Sequence, residues 1–285
     1  MRQKEERKLG KRLLKGIIAF SAVALLQTGV VPAANPAAMV YAAEKNTNHL
    51  GLGTGEISNP VHPASNSSAW SGSYVYYGKY NESDPTKYRV LDKEATKFGG
   101  NTLFLDCDSV LYNDYFNKQG DIKPGAQKPN EWAYSDVKTG LSGNKFLEKG
   151  GVFSQAEKDA MALSTIAEHP LDTADQEEAG KVSSWSQGAY GKYVPLSNEK
   201  VFLLDAEDAS NINYGYSMDD NSCENRKKTK NGSASWWWLR SADSYYDDFP
   251  GHVYDGGYLI IHHVISSLVS APLLMSIWNL SSSHL

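Results

Sequence analysis

A run of three tryptophans followed by an arginine constrains the fold of this chain more than any other feature. Residues 235–241 read Ser-Trp-Trp-Trp-Leu-Arg-Ser and hold three of the seven tryptophans in the sequence. Such a run is costly to leave in water, and its arginine is costly to bury unless it is paired. A β-strand resolves this conflict, because successive side chains of a strand point to opposite faces.

The strand period gives each side chain of the run an expected environment. Arg240 shares one face with Trp236 and Trp238. Trp237 lies on the opposite face. We expect at least two of the tryptophans to be in the core, and Arg240 to stack on a ring or to pair with a buried carboxylate. Contact of Trp237 and Arg240 with a ligand is the alternative.

The first 43 residues have the pattern of a secretion signal. Seven Lys and Arg residues lie within the first fifteen positions, an apolar run follows at 17–26, and Ala42 and Ala43 precede Glu44. The apolar run is too short to span a bilayer, so we expect a cleaved signal and a secreted or extracellular protein, free or associated with the cell wall. No membrane span is expected after cleavage.

Charge and cysteine content narrow the class of protein further. Without residues 1–43 the chain has 21 basic and 31 acidic residues, and this balance argues against nucleic acid as a partner. The one basic cluster, 226–228 with Lys230, is interpreted as a solvated loop. Cys107 and Cys223 are the only cysteines, which suits an oxidising compartment but leaves open whether they form one bridge or two free thiols.

Local patterns predict a domain of strands and short helices after a flexible lead-in at 44–71, which is rich in Gly, Asn, Pro and Ser. Residues 74–80 and 88–92 are β-prone and predict a hairpin. A second hairpin is predicted around Asp255-Gly256-Gly257, because Asp-Gly favours tight hairpin turns. Strands are also expected at 102–105 and 200–204.

Three helix starts have capping signals. Ser135 is an expected N-cap, with Gly140 or Gly143 as the stop. Ser154 and Glu157 form a capping box that predicts a helix from Gln155 to about Ile166. Asp205 is expected to cap a short helical turn that runs through Ala209.

Six sequence blocks in a fixed order resemble a family of secreted domains of unknown function, common in Gram-positive bacteria, with a W-W-L-R-S signature. The blocks are V-Y-Y-G-K-Y (75–80), Y-R-V-L-D (88–92), W-A-Y-S-D (132–136), F-S-Q-A-E-K (153–158), K-V-F-L-L (200–204) and W-W-L-R-S (237–241). The family is similar to C-type-lectin-like proteins, which include relatives of the formylglycine-generating enzyme and the variable ligand-binding proteins of diversity-generating retroelements. The resemblance implies an α+β domain at 72–259, with two main helices and a twisted antiparallel sheet that carries the Trp motif.

The end of the chain departs from this family. The family closes on a strand that reads roughly G-V-R-P-A followed by alternating apolar and Asn residues, and nothing after Gly257 reads so. Codons for residues 270–285 can be chosen so that the same bases, read from one base earlier, encode V-R-P-A-F-N-V-N-L. Met275 and Trp278 have a single codon each, and both codons fit this reading. We therefore expect a one-base frameshift, an aberrant tail at 260–285 and a sheet without its last strand. The alternative is a membrane anchor at 259–278.

An aromatic and acidic loop after the Trp strand supplies the candidate ligand contacts. Aromatic faces cover pyranose rings, and carboxylates accept hydroxyl hydrogens. The candidate ligand-binding residues are Trp237, Arg240, Tyr245, Tyr246, Asp247 and Asp248. We expect no cofactor and interpret the nearby acidic side chains as a solvated loop, because no fixed-spacing calcium loop is present. Calcium is the alternative, since these side chains offer hard oxygens: Asp219, Asp220, Asp243, Asp247 and Asp248.

These patterns favour binding over catalysis. The sequence has no nucleophile elbow, P-loop or dinucleotide motif, and its histidines do not form a zinc spacing with the cysteines. The cysteine pair on which the formylglycine-generating relatives depend has no counterpart here. We expect a secreted module that recognises a glycan or a surface protein, with no catalytic residues. The alternative is a purely structural domain of a surface adhesin.

Overall fold

The computed structural model describes residues 57–80, 84–98, 100, 102–166, 194–217, 221–243, 246–266, 270–271 and 274–278. The expected signal at 1–43 lies outside these residues. The domain is α+β, as expected, with mostly antiparallel sheets and short helices. None of the helices among the described residues has the length and apolar character needed to cross a membrane.

One large sheet has five antiparallel strands. It contains the predicted hairpin of β1 (Tyr74–Tyr77) and β2 (Thr86–Asp92), in which Tyr74 lies opposite Arg89. The sheet order is β1-β2-β3-β14-β7, and the remaining strands are β3 (Thr102–Cys107), β7 (Val201–Phe202) and β14 (Leu274–Trp278).

The Trp run forms the central strand of a second five-stranded sheet. This strand, β10 (Trp237–Ala242), lies between β11 and β13 in the order β12-β11-β10-β13-β4. The predicted Asp-Gly hairpin joins β11 (Pro250–Val253) to β12 (Leu259–Ile261). The other two strands are β4 (Tyr112–Asn113) and β13 (Ser270–Ala271), and β13 runs parallel to β10.

Smaller elements complete the described chain. Two short antiparallel sheets pair β5 (Ser164–Ile166) with β6 (Leu196–Glu199), and β8 (Lys228–Lys230) with β9 (Ser233–Ser235). The α-helices are α1 (Asp136–Ser142), α2 (Gln155–Ala160) and the single turn α3 (Ala206–Ala209). Single 3-10 turns lie at Thr96–Phe98, Trp132–Tyr134, Ile212–Tyr214 and Glu224–Arg226.

One continuous apolar core draws on both large sheets. Phe104 of β3 stacks on Phe202 of β7 with ring centroids 6.3 Å apart. Trp238 of β10 meets Phe116 edge-on at 5.6 Å. All four rings are completely buried, so the two sheets share their apolar interior.

The capping predictions are confirmed, but one helix is shorter than expected. The hydroxyl of Ser135 accepts the Lys138 amide, and the helix ends at Gly143. Both capping boxes are closed, Ser154 with Glu157 and Asp205 with Asp208. Helix α2 stops at Ala160, not near Ile166, because the residues after Met161 turn into strand β5, which pairs with β6.

The described part of the predicted lead-in is packed on the domain. The Ser58 amide donates to the Ser73 hydroxyl at 2.9 Å, and the Asn59 side chain contacts Asp92. Trp70 is 4% exposed and belongs to the core. The boundary predicted at 71–72 is therefore too late, because one buried tryptophan in a polar stretch is a weak sequence signal.

The expectation that the sheet lacks its last strand is wrong. Strand β14 lies between β3 and β7, with Leu274 opposite Asp106 and Trp278 opposite Thr102. Backbone amides and carbonyls make these bonds, so strand pairing does not require the family's side chains. The described parts of 259–278 contain β12 to β14, a turn and irregular segments, and none of them is helical. The frameshift itself stays a prediction that the nucleotide sequence of the gene tests.

Candidate functional site

The Trp strand is an interior element. Trp237, Trp238, Leu239 and Arg240 have no exposed surface. The indole N–H of Trp237 donates to the Arg226 carbonyl at 2.9 Å, and that of Trp238 donates to the Asp114 carbonyl at 3.1 Å. Both indoles therefore combine a large buried area with a satisfied donor. The prediction that at least two tryptophans are in the core is confirmed.

Arg240 is held by two carboxylates from one capping box. Its guanidinium contacts Asp205 through Nη2 and Asp208 through Nη1, the latter at 3.1 Å. The carbonyl of Leu203 accepts from Nη1 as well, at 2.5 Å, and the Phe202 ring lies 5.6 Å from the guanidinium carbon. Stacking and carboxylate pairing, the two expected environments, thus occur together. Since Trp237 and Arg240 are enclosed by protein, a ligand arriving from solvent does not meet them.

A second charged centre contains Asp106 of β3 and Lys228 of β8. Lys228 Nζ donates to Asp106 Oδ1 and to the Cys107 carbonyl. The Tyr216 hydroxyl donates to the other carboxylate oxygen, Oδ2, at 2.6 Å. Desolvation lowers the pKa of Lys228, although the Asp106 carboxylate opposes this effect.

The basic cluster at 226–228 is not a solvated loop. Arg226 is fully buried and donates to backbone carbonyls, among them Gly257 at 2.9 Å and Ser217 at 2.9 Å. Lys228 is 1% exposed and has the Trp237 ring 4.6 Å from its Nζ. The prediction failed because the partners of these side chains come from distant parts of the chain.

The acidic loop after β10 is fixed by hydrogen bonds from a buried side chain. The Asn130 amide group donates to three carbonyls of this loop, Asp243 at 3.1 Å, Tyr246 at 3.0 Å and Phe249 at 3.2 Å. The Asp243 carboxylate accepts the Tyr246 amide at 3.1 Å. We call Asp243 and residues 246–249 the rim loop. Nothing in the sequence around Asn130 signalled this role.

The outer side of the rim loop presents an aromatic ring beside two carboxylates. Tyr246 is 50% exposed, and its ring packs on Phe249 at 5.3 Å. Asp247 pairs with Lys128 at 2.7 Å, and Asp248 with His263 at 2.8 Å. His263 in turn packs on Phe249 at 5.3 Å.

The structure thus brings together only some of the predicted contacts. Tyr246, Asp247 and Asp248 are consecutive in the rim loop and all partly exposed, whereas Tyr245 lies outside the described residues. Sequence reasoning missed the other members of this surface, Phe249, Lys128 and His263. A hint for Phe249 was available, because it lies within the aromatic and acidic segment from which the candidates were taken.

An aromatic cluster packs around Trp236, next to the start of the Trp strand, and contains a buried histidine without hydrogen-bond partners among the described residues. Partly buried Trp236 packs on Tyr254 at 4.5 Å, on His262 at 5.3 Å and on His252 at 5.5 Å. His252 is fully buried, and neither ring nitrogen has a hydrogen-bond partner among the described residues. Burial, followed by the nearby His262, lowers the pKa of His252 to about 3. The ring is therefore neutral in the folded protein.

An open cleft of about 630 Å³ beside α1 is lined by charged side chains. Lys145 pairs with Asp114 at 2.5 Å and Lys123 with Asp136 at 2.6 Å. Desolvation raises the pKa of Asp114. Burial also acts on Asp136, but hydrogen bonds from Lys123 and from the Lys118 amide outweigh it, so the pKa of Asp136 is lowered. The second oxygen of Asp114, Oδ2, is buried without a hydrogen-bond partner among the described residues. The other charged groups of these two pairs contact each other, and the cleft is assigned no chemistry.

The described residues contain no cluster of three or more His, Cys, Asp or Glu side chains that could hold a metal ion. Of the calcium candidates, Asp219 and Asp220 lie outside the described residues, Asp243 is buried, and Asp247 and Asp248 contact Lys128 and His263. A solvated acidic loop without a cofactor stays the prediction, with calcium as the alternative.

The two cysteines are both buried and free, which answers the pairing question. Burial raises the pKa of Cys107 to about 12. The thiol is therefore protonated at neutral pH and poorly nucleophilic.

These features define a class of protein: an α+β domain with a buried Trp-Arg strand and an exposed aromatic and acidic rim loop. Residues 103–269, more than half of the chain, match the family described as a domain of unknown function, DUF6273. The chain belongs to this family. No curated protein and no solved structure matches the chain significantly. The resemblance to a domain of unknown function is thus confirmed, while the signature motif, secretion and the lectin-like fold stay predictions.

Proposed function

We propose that this protein is a secreted or cell-surface module that binds a glycan through the rim loop and has no catalytic activity. The observation that carries the proposal is the half-exposed ring of Tyr246 beside two carboxylates on a loop fixed by buried Asn130. A fixed loop loses little conformational entropy on binding, which favours affinity.

The chemistry of this surface suits a sugar. The half-exposed ring of Tyr246 offers an apolar face for the C–H side of a pyranose. A carboxylate has about four lone-pair sites, so Asp247 and Asp248 can accept sugar hydroxyls while they remain paired. Lys128 and His263 add donors on the same surface.

The proposal includes the cellular setting and the fold family. A C-type-lectin-like domain from a Gram-positive bacterium is supported by the six sequence blocks, and the basic and apolar pattern of 1–43 supports secretion. A surface protein is the second ligand class that the rim loop suits. Function is inferred from the site, since similar folds carry many functions.

A glycan array tests the proposal with three proteins: the wild type, Tyr246→Ala and Tyr258→Ala. Tyr258 is a matched control because it is 44% exposed and lies outside the rim loop, at the turn between β11 and β12. We expect the wild type and Tyr258→Ala to bind one glycan class, and Tyr246→Ala to bind it about tenfold more weakly, as expected for loss of one aromatic contact. Equal binding by Tyr246→Ala would remove the rim loop from the proposal.

A structural domain of a surface adhesin is the alternative, and one observation favours it. The side chains of the Trp strand that seemed most suited to recognition, Trp237 and Arg240, serve the interior. Absence of binding to glycans and to surface-protein extracts by all three proteins would support this alternative.

A further inference from the structure

The contact between Lys228 and Asp106 differs from the other lysine–carboxylate ion pairs between described residues. Their side chains are 0% and 1% exposed, whereas each of the other pairs has at least one member that is substantially exposed. The two residues are 122 positions apart and join β8 to β3. An amine and a carboxyl group are therefore held in contact in a water-free interior.

The burial of Lys228 opposes a positive charge on its amine. Taking two charges out of water costs several kcal/mol per ion, and a proton transfer from Nζ to Oδ1 removes both charges at once. Desolvation acts in this direction, because it lowers the pKa of Lys228. The neutral pair consists of a free amine next to a carboxylic acid.

We propose that Lys228 and Asp106 join through an intramolecular amide bond that forms after the chain folds. The site is a self-modification site: the nucleophile is Lys228 Nζ, the electrophile is Asp106 Cγ, and no external reagent is consumed. The inference is independent of the proposed glycan binding.

The reaction balances as a condensation. The lone pair of neutral Nζ attacks Cγ, and the N–C bond forms while the C=O electrons move to Oδ2. The Tyr216 hydroxyl, which donates to Oδ2 at 2.6 Å, stabilises the negative charge that develops there. When the carbonyl forms again, the Cγ–Oδ1 bond breaks and Oδ1 leaves as water with its own proton and one from the amine.

Two neighbours hold the amine in place for this step. The Cys107 carbonyl accepts from Nζ, and the Trp237 ring lies 4.6 Å from it. Water is kept out because Trp237, Tyr216 and Cys107 are fully buried. The exclusion of water favours the condensation and also protects its product, because an amide is hydrolysed only when water reaches it.

The experiment is the intact mass of the folded full chain under denaturing, reducing conditions, followed by a peptide map. We expect a mass lower than the calculated one by one water molecule, and one branched peptide in which the segments of Asp106 and Lys228 are joined. Lys228→Arg and Asp106→Ala should each have their full calculated mass. Lys145→Arg, which alters the half-exposed pair with Asp114, should keep the loss of water.

Further variants and the map separate this bond from other dehydrations. Tyr216→Phe should leave a measurable fraction of chain at full mass, whereas the nearby Tyr214→Phe should not. Dehydration of Asp255 beside Gly256 to a succinimide gives the same mass but no branched peptide. Full mass in the folded wild type, or a loss located at Asp255, would overturn the proposal.

Discussion

Strand β10 and the rim loop are adjacent in sequence and opposite in character. The strand residues Trp237 to Arg240 have no exposed surface, whereas Tyr246 in the loop is half-exposed and the Asp247 side chain is 63% exposed. Both segments are aromatic and charged, so composition does not distinguish them. The difference lies in the partners: the carboxylates that pair with Arg240 are buried, whereas those of the loop contact the partly exposed side chains of Lys128 and His263.

This difference shows where the two kinds of charge act. A buried pair contributes little net stability when intact but is costly to break, since one charge is left without a partner. An exposed pair can be lost at almost no cost. The strand therefore specifies the fold, while the loop tolerates change and is free to serve recognition.

The largest expected effect is at Arg240. Arg240→Met leaves Asp205 and Asp208 buried without their cation, so we expect the free energy of unfolding in urea to fall by about 3–5 kcal/mol. Lys128→Met is the matched control, because it removes the cation of the exposed pair with Asp247 and should change stability by less than about 1 kcal/mol. Similar losses in the two variants would show that the two regions do not differ as described.

Acid should act on the strand region through His252. Its pKa is about 3 in the folded protein against 6.5 in the unfolded chain, so below pH 6.5 only the unfolded state takes up the proton. The contribution of His252 to the free energy of unfolding is complete above pH 6.5. It decreases by about 1.4 kcal/mol per pH unit as the pH falls towards 3. Urea unfolding across this range measures it.

A substitution isolates this contribution from the other groups that titrate in acid. His252→Phe keeps an aromatic ring among Trp236, Trp238 and His262 but cannot take up a proton. We expect its stability to depend less steeply on pH than that of the wild type. His62→Phe, at an exposed site, should leave the slope unchanged. An unchanged slope in His252→Phe would assign the acid sensitivity to other groups.

The sequence predicted the local elements well because their causes are local. Ser154 and Glu157 are three residues apart, and both hydrogen bonds of their capping box are present. The environment expected for Arg240 was confirmed for a different reason: its partners are distant in sequence, but a buried guanidinium on a strand has few environments open to it, so the kind of partner was predictable and the identity was not. The early end of α2 was missed because its cause, the pairing of β5 with β6, is not local.

The candidate site was predictable only in part. The rim loop stood out by composition, but its anchor Asn130 is more than a hundred positions before it. Lys228 was read as solvated, since its partner Asp106 is equally remote. Contacts that depend on distant chain segments leave no pattern in a single sequence, and such contacts hold both the rim loop and the buried ion pair.

The smallest effect tests whether the rim loop is a separate unit. Asn130→Ala removes donors to the carbonyls of Asp243, Tyr246 and Phe249, so we expect a loss of about 1–3 kcal/mol in the free energy of unfolding. Amide hydrogen exchange should accelerate at Tyr246 and Phe249 but not in β10, because the bonds of the strand remain intact.

The exposed Asn213 provides the control for this last comparison. Among the described residues, the Asn213 side chain forms one hydrogen bond beyond its own turn, at 2.7 Å to the exposed ring of His62. Asn213→Ala should therefore leave exchange in the rim loop unchanged. If Asn130→Ala accelerated exchange in β10 as much as in the loop, the two segments would open together. The loop would then be an extension of the interior, and the fixed surface that supports glycan binding would depend on the whole sheet.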